Sequence, residues 1–244
     1  MKRPTLHKLI LSILLFAISF LALFTSHKSS AFADWYSSTI YPLFVSSIGR
    51  FFGIFQFSVS EIGLYIFVIL LFLSLIRMLI SSIYKMYAQK KNPAWLGYGS
   101  SLLLLCGCLF TIYTFFCGIN YGHTSFAEKY HLESGQYTLA ELTSLCNELT
   151  DQLNTLSEDL QDRARAAMFS LGAAYPELSG YYPQPKGLLF PAFLSVQNLS
   201  GIYSPFTIEA NYNSAMVSYN LPFTICHELS HLRGFMQEEE ANYI

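Results

Sequence analysis

Near the end of the chain lies the run Cys226-His227-Glu228-Leu229-Ser230-His231, followed by Gly234 and the cluster Glu238-Glu239-Glu240-Ala241-Asn242. On an α-helix, residues i and i+4 stack on one face, so His227 and His231 present two imidazoles one turn apart. Two nitrogens so placed can share one zinc ion (Zn²⁺) at about 2.0–2.1 Å, with Glu228 aimed at the attacking water as general base. The chemistry such a set supports is metal-assisted hydrolysis of a peptide bond. A solvated amphipathic helix with idle histidines is the plainer alternative. The glycine and carboxylates just downstream argue against it.

A third ligand must come from beyond the helix. Were the helix unbroken to Glu238, that carboxylate would lie about 16 Å along the axis from His227, at 1.5 Å per residue. Gly234 supplies the stop, because glycine tolerates the left-handed conformation that ends helices. A second helix can then return a carboxylate to the metal. Gln237 is a neutral amide and a poor zinc ligand. Glu238 is the expected ligand, since Asn242 shares its helical face and can orient it by a hydrogen bond. Glu240 is the alternative ligand.

These residues need elements to hold them. The composition is 52% hydrophobic and only 12% charged, about half the usual charged share of a soluble domain. Residues 1–122 carry nine Lys/Arg against two Asp/Glu, a charge of +7; residues 123–244 carry five against fourteen, a charge of −9. That split predicts a membrane anchor over 1–122 and a water-soluble domain over 123–244. Apolar runs near 9–25, 62–83 and 102–119 each approach the ~20 residues needed to cross a bilayer. Lys2, Arg3 and Lys8 before the first run, and Arg77, Lys85, Lys90 and Lys91 between the second and third, place those segments in the cytoplasm. The N-terminus is then cytoplasmic and the acidic half extracytoplasmic. Met1 to Ala33 also reads as a signal peptide, with Ala31-Phe32-Ala33 as a cleavage site. Its 17-residue apolar core favours a retained helix over the usual 7–15. Either way the later two spans form a hairpin and the outer domain stays outside.

Phe44, Ile48, Phe51, Phe52 and Phe55 fall near helical spacing and predict an interfacial amphipathic helix, with Gly49 and Gly53 against it. Thr138 and Glu141 form a capping box ahead of a leucine stripe from Leu142 to Leu160, predicting one long helix to about Leu171, ended by Gly172. Its acidic face is read as solvated. Prolines and glycines break Tyr175 to Pro191 into loop. Gly201-Ile202-Tyr203 and Phe206-Thr207-Ile208 suggest short strands around Pro205, and residues 201–213 are expected to offer an edge strand to substrate backbone. Three cysteines lie in the third apolar run as small hydrophobes. Cys146 and Cys226 could pair, although Cys226 fits core packing behind the metal helix better. An outer domain at −9 argues against nucleic acid as a partner. The charged residues within Leu221 to Phe235 exclude it as a spanning helix.

The stretches Gly201-Ile202-Tyr203-Ser204-Pro205-Phe206-Thr207, Glu209-Ala210-Asn211, Leu221-Pro222-Phe223-Thr224, His227 to Gly234 and Glu238 to Asn242 resemble a bacterial membrane family catalogued as domain of unknown function 3810. The three-span layout and the capped acidic helix fit it too. The family looks like a branch of zinc metallopeptidases with a Glu-x-x-Ala-Asn/Asp third-ligand motif, which implies Glu238 as ligand. Its members continue past that motif, implying that a chain ending at Ile244 is a fragment. Glu209 is expected to be a buried hydrogen-bonding or cleft-lining carboxylate. The expected fold is mainly α: three transmembrane helices, then an extracytoplasmic α+β zincin-like domain, incomplete at its end. The expected function is a membrane-anchored zinc metallopeptidase acting on a peptide or protein substrate, with the lipid bilayer as its other partner. The rival is a non-catalytic membrane protein with a structural or vestigial metal site, or an inactive fragment.

Overall fold

A computed structural model describes residues 3–88, 95–131 and 160–244. Among them the chain is mainly helical, and three helices are long and apolar enough to cross a membrane. These are α1 (Arg3–Lys28), α5 (Val59–Tyr87) and α6 (Trp95–Phe116). Helices α1 and α6 run side by side in the same direction. Lys8 Nζ donates to Ser101 Oγ at 2.7 Å, and Ser19 Oγ meets Thr111 Oγ1 at 3.0 Å further along. Ser12, Ser19 and Ser26 are all buried in that seam. Small hydroxyl residues let apolar helices approach closely while keeping their own polar atoms bonded, here to the preceding turn. The third apolar helix stops at Phe116, earlier than the expected 119. Cys117 leaves helical geometry, and a 3-10 turn over Gly118–Gly122 tucks Gly122 against the backbone of Ser26.

Between α1 and α5 the chain stays helical in short pieces: α2 (Ser30–Trp35), α3 (Tyr41–Phe44) and α4 (Arg50–Gly53), joined by wider π-type turns over Tyr36–Ile40 and Val45–Gly49. Each wide turn rotates the face that follows. The stripe that packs inward is therefore Ala33, Tyr36, Tyr41 and Val45. Instead of the one expected amphipathic helix there are short pieces; along the phenylalanine stripe Phe44 and Ile48 are partly covered, while Phe51 and Phe55 are exposed. Tyr41 Oη donates to the carbonyl of Leu232 at 3.0 Å and meets Tyr203 Oη at 2.9 Å. This segment is thus built into the core that carries the site.

Helix α7 (Phe126–Lys129) follows the 3-10 turn, and α8 (Leu160–Leu171) ends at Gly172, where a side chain would strike Ser179. The capping box at Thr138 and the leucines before Leu160 lie outside the described residues. A three-stranded sheet has the order β1 (Lys186–Gly187), β3 (Glu209–Tyr212), β2 (Gly201–Ser204); β1 pairs parallel and β2 antiparallel with β3. Helix α9 (Ala192–Val196) sits in the connection between β1 and β2. The expected second strand at 206–208 is instead a turn, and β3 begins at Glu209. Ile208 takes φ +52 and is fully buried. A β-branched residue at positive φ is unusual, and here the fully buried side chain packs in the core beside Gly49. Helix α10 (Leu221–Leu232) packs Ile225, Leu229 and Leu232 into that core, and α11 (Glu238–Tyr243) follows.

Candidate metal centre

Helix α10 carries Pro222 in its first turn, where the missing N–H costs nothing. Its core face fixes the rotation, so His227 and His231 point into a cleft of about 720 Å³. The helix ends at Gly234, with φ +108. The Gly234 N–H bonds the His231 carbonyl at 2.9 Å and the Phe235 N–H bonds the Ser230 carbonyl at 3.2 Å, the paired bonds of a glycine-ended helix. That reversal also sets the Phe235 carbonyl 2.7 Å from His231 Nδ1. A carbonyl only accepts, so Nδ1 carries the proton and Nε2 presents its lone pair to the cleft.

After the reversal, Gln237 is extended and Glu238 opens α11. Glu238 Oε2 lies 3.2 Å from His227 Nε2, and Oε1 lies 3.5 Å from His231 Nε2. Donor atoms of all three residues fall within 4.8 Å of one another. Tetrahedral bonds of about 2.0–2.1 Å separate ligand atoms by about 3.3 Å; the two Glu238 distances match that separation, and two imidazoles with a carboxylate are a donor set of the kind zinc takes. Burial lowers the pKa of His231, with His227 adding to the effect against the opposing Phe235 carbonyl and Glu238. A neutral imidazole is the form that binds metal.

Glu228 stands beside the cluster, buried, with Oε2 lacking a hydrogen-bond partner among the described residues. Burial, reinforced by the charge of Glu238, pushes its pKa up to about 8. Gly201 of β2 makes room for it: a Cβ there would lie 2.5 Å from Glu228 Oε1. Strand β2 is the edge of the sheet among the described residues. Asn213 N–H bonds the Ser200 carbonyl at 2.7 Å. By the alternation of an antiparallel ladder, the N–H and C=O groups of Gly201 and Tyr203 then point to the open edge. Gly201, Ile202 and Tyr203 line the same cleft as His227 and Glu228, and Tyr113, Cys117 and Tyr121 close it from the membrane-helix side.

Of the sequence-predicted residues, His227, Glu228, His231 and Glu238 come together. Glu240 does not join them. Its Oε1 accepts from the Phe126 N–H at 2.7 Å and its Oε2 lies 3.5 Å from His123 Nε2. As the second helical residue after Glu238, it faces the opposite wall. Asn242 lines the cleft, and among the described residues no hydrogen bond joins it to Glu238. Cys226 is a free thiol packed partly into the core. Glu209 is buried and bonded to Lys186, to the Val59 and Ser60 N–H groups and to Thr207. Two features were missed in the sequence: the Phe235 carbonyl that fixes His231 and the Gly201 recess that admits Glu228. The second had a signal, since glycine inside a strand marks a close approach.

No curated protein and no solved structure matches the chain. Residues 36–244 match the family described as a protein of unknown function, DUF3810, and with most of its length inside that match the chain belongs to it.

Proposed function

We propose that the chain is a membrane-anchored zinc metallopeptidase with a zincin-like outer domain, hydrolysing peptide bonds on the extracytoplasmic side. The observation that carries this reading is the convergence of His227, His231 and Glu238 beside a buried, unpaired Glu228 carboxylate. Zinc, held by those three side chains, would polarise the scissile carbonyl and acidify water. Glu228 takes the proton of the attacking water and hands it to the departing amide nitrogen. Phe235, through its carbonyl, keeps His231 in the metal-binding tautomer. The open groups of Gly201 and Tyr203 pair with substrate backbone and hold it extended across the cleft. The charge contrast between basic inner segments and the acidic outer half supports the orientation.

Zinc content and turnover of a mixed peptide library, measured together, test the reading. The expected result is one zinc per chain, and in Glu228→Gln a loss of about 10²–10⁴-fold in turnover with zinc retained. Unchanged turnover in that variant, or a wild-type chain that binds zinc and cleaves nothing, would leave a structural metal site instead.

A further inference from the structure

From Gly187 to Ile208 the sequence contains no Asp, Glu, Lys or Arg, and beyond Glu209 the next is Glu228. At the ordinary share of about 25% charged residues, a stretch of this length would hold about ten. Glu209 itself is buried against Lys186. The outer domain therefore has an uncharged face.

On that face the connection from β1 to β2 exposes apolar side chains: Leu189 is 55% exposed, Phe190 63%, Phe193 53% and Val196 85%. The loop is clamped to the start of α5. Glu61, in the first turn of that helix, accepts from the Leu189 N–H at 2.8 Å and the Phe190 N–H at 2.9 Å. Tyr65 donates to the same carboxylate at 2.9 Å, and its ring meets Phe190 edge-on at 5.7 Å. Glu209 accepts from the Val59 and Ser60 N–H groups at 3.1 and 2.7 Å, fixing the sheet to the same helix end.

These contacts set a depth. Helix α5 has 29 residues, or about 43 Å at 1.5 Å per residue, which matches the ~40–45 Å of a bilayer with its headgroups. The hydrocarbon then begins about 7 Å from the helix end, and Tyr65 lies about 9 Å in. Phe190 contacts the Tyr65 ring, which reaches back to Glu61 about 3 Å in, so Phe190 sits between those two levels, at the boundary of headgroups and hydrocarbon. Aromatic rings are favoured at that boundary, and a charge there would be costly. We infer that the segment from Leu189 to Val196 is a membrane-dipping loop that seats the outer domain on the bilayer through Leu189, Phe190, Phe193 and Val196. Its occupant is lipid, because the loop is continuous with a helix whose own apolar surface needs lipid at that height.

The test uses the full chain in phosphatidylcholine vesicles. The two native tryptophans are replaced, Trp35→Phe and Trp95→Phe, and a single reporter is introduced as Phe193→Trp or, separately, Val196→Trp. Emission is compared between ordinary phosphatidylcholine and phosphatidylcholine brominated high on its acyl chains. Insertion predicts at least about a two-fold loss of emission in the brominated lipid for both reporters, and little quenching by iodide. Equal emission in both lipids with strong iodide quenching places the loop in water and overturns the inference. Equal emission with protection from iodide assigns the face to a second copy of the chain or another protein, and overturns it too. Neither readout depends on zinc or on peptide cleavage.

Discussion

Gly201 and Glu228 share a space too small for one more carbon: a Cβ on Gly201 would lie 2.5 Å from Glu228 Oε1 and 2.8 Å from its carboxyl carbon. Real Cβ atoms do not tolerate such contacts, and Glu228 is buried with little room to yield. Gly201→Ala should therefore push the carboxylate off its line to the cleft. Misplacement by about 1 Å can cost about 10²-fold in rate. The expected outcome is a fall of that order in peptide turnover with zinc stoichiometry unchanged. Full activity in Gly201→Ala would show that Glu228 is not held by this recess.

Two glutamates on one short helix have opposite surroundings, and substitution separates them. Glu238 faces two imidazole nitrogens, so Glu238→Gln should weaken zinc binding at least about 100-fold in a metal titration. Glu240 accepts the buried Phe126 N–H. Glu240→Ala strands that donor and should lower stability by about 1–3 kcal/mol while zinc affinity moves only a few-fold. The reverse pattern would exchange their roles.

The His-Glu-x-x-His spacing and the glycine stop were legible because each rests on local helix geometry, whereas the choice of Glu238 over Glu240 leaned on the family likeness and on Asn242, which makes no hydrogen bond to Glu238 among the described residues. A periodic row of residues encodes its own face. The positioning of Tyr41 was not legible, because its partners Tyr203 and Leu232 lie far along the chain. The two π-type turns also rotate its segment away from the stripe that simple periodicity predicts. Ile208 misled for a related reason: its β-branched, apolar character suits a strand, yet tertiary packing holds it in a left-handed turn. The seam between α1 and α6 left a visible trace in Ser12, Ser19 and Ser26, a seven-residue repeat of small residues that hydropathy alone passes over.

Burial of Glu228 makes the metal-free protein sensitive to pH. A carboxyl whose pKa rises from 4.5 to about 8 on folding favours the folded state while protonated. That contribution is complete below pH 4.5 and is lost as pH climbs through 8, amounting to at most about 5 kcal/mol. His231, whose pKa is lowered, acts in the opposite sense, becoming favourable as pH rises through its ordinary value. Comparison with Glu228→Gln isolates the carboxyl. After chelation, the wild-type Tm should fall from pH 5 to pH 8 more steeply than that of the variant. Added zinc should raise Tm more at pH 8 than at pH 6, because its ligands must be deprotonated. Parallel Tm curves for the two chelated proteins would contradict the buried-carboxyl account.

Lys186 and Glu209 form an ion pair buried on both sides, and it lies where the sheet meets α5. Lys186 Nζ also donates to the Phe52 carbonyl at 2.8 Å, and Glu209 also accepts from two N–H groups of the first turn of α5. The pair thus joins four elements, α4, α5, β1 and β3, that differ widely in sequence position. Removing one partner leaves the other charge buried, at about 3–5 kcal/mol, whereas replacing both can be nearly neutral. Lys186→Met should therefore lower the unfolding temperature in detergent sharply. Adding Glu209→Gln should recover part of the loss, since it removes the stranded charge while the amide oxygen still accepts from one of the two helix N–H groups. Because the proposed metal ligands sit on other elements, zinc affinity of the double variant should stay within a few-fold of wild type. If the double variant is as unstable as the two single losses added, the pair is not an interacting unit and the junction rests on packing alone.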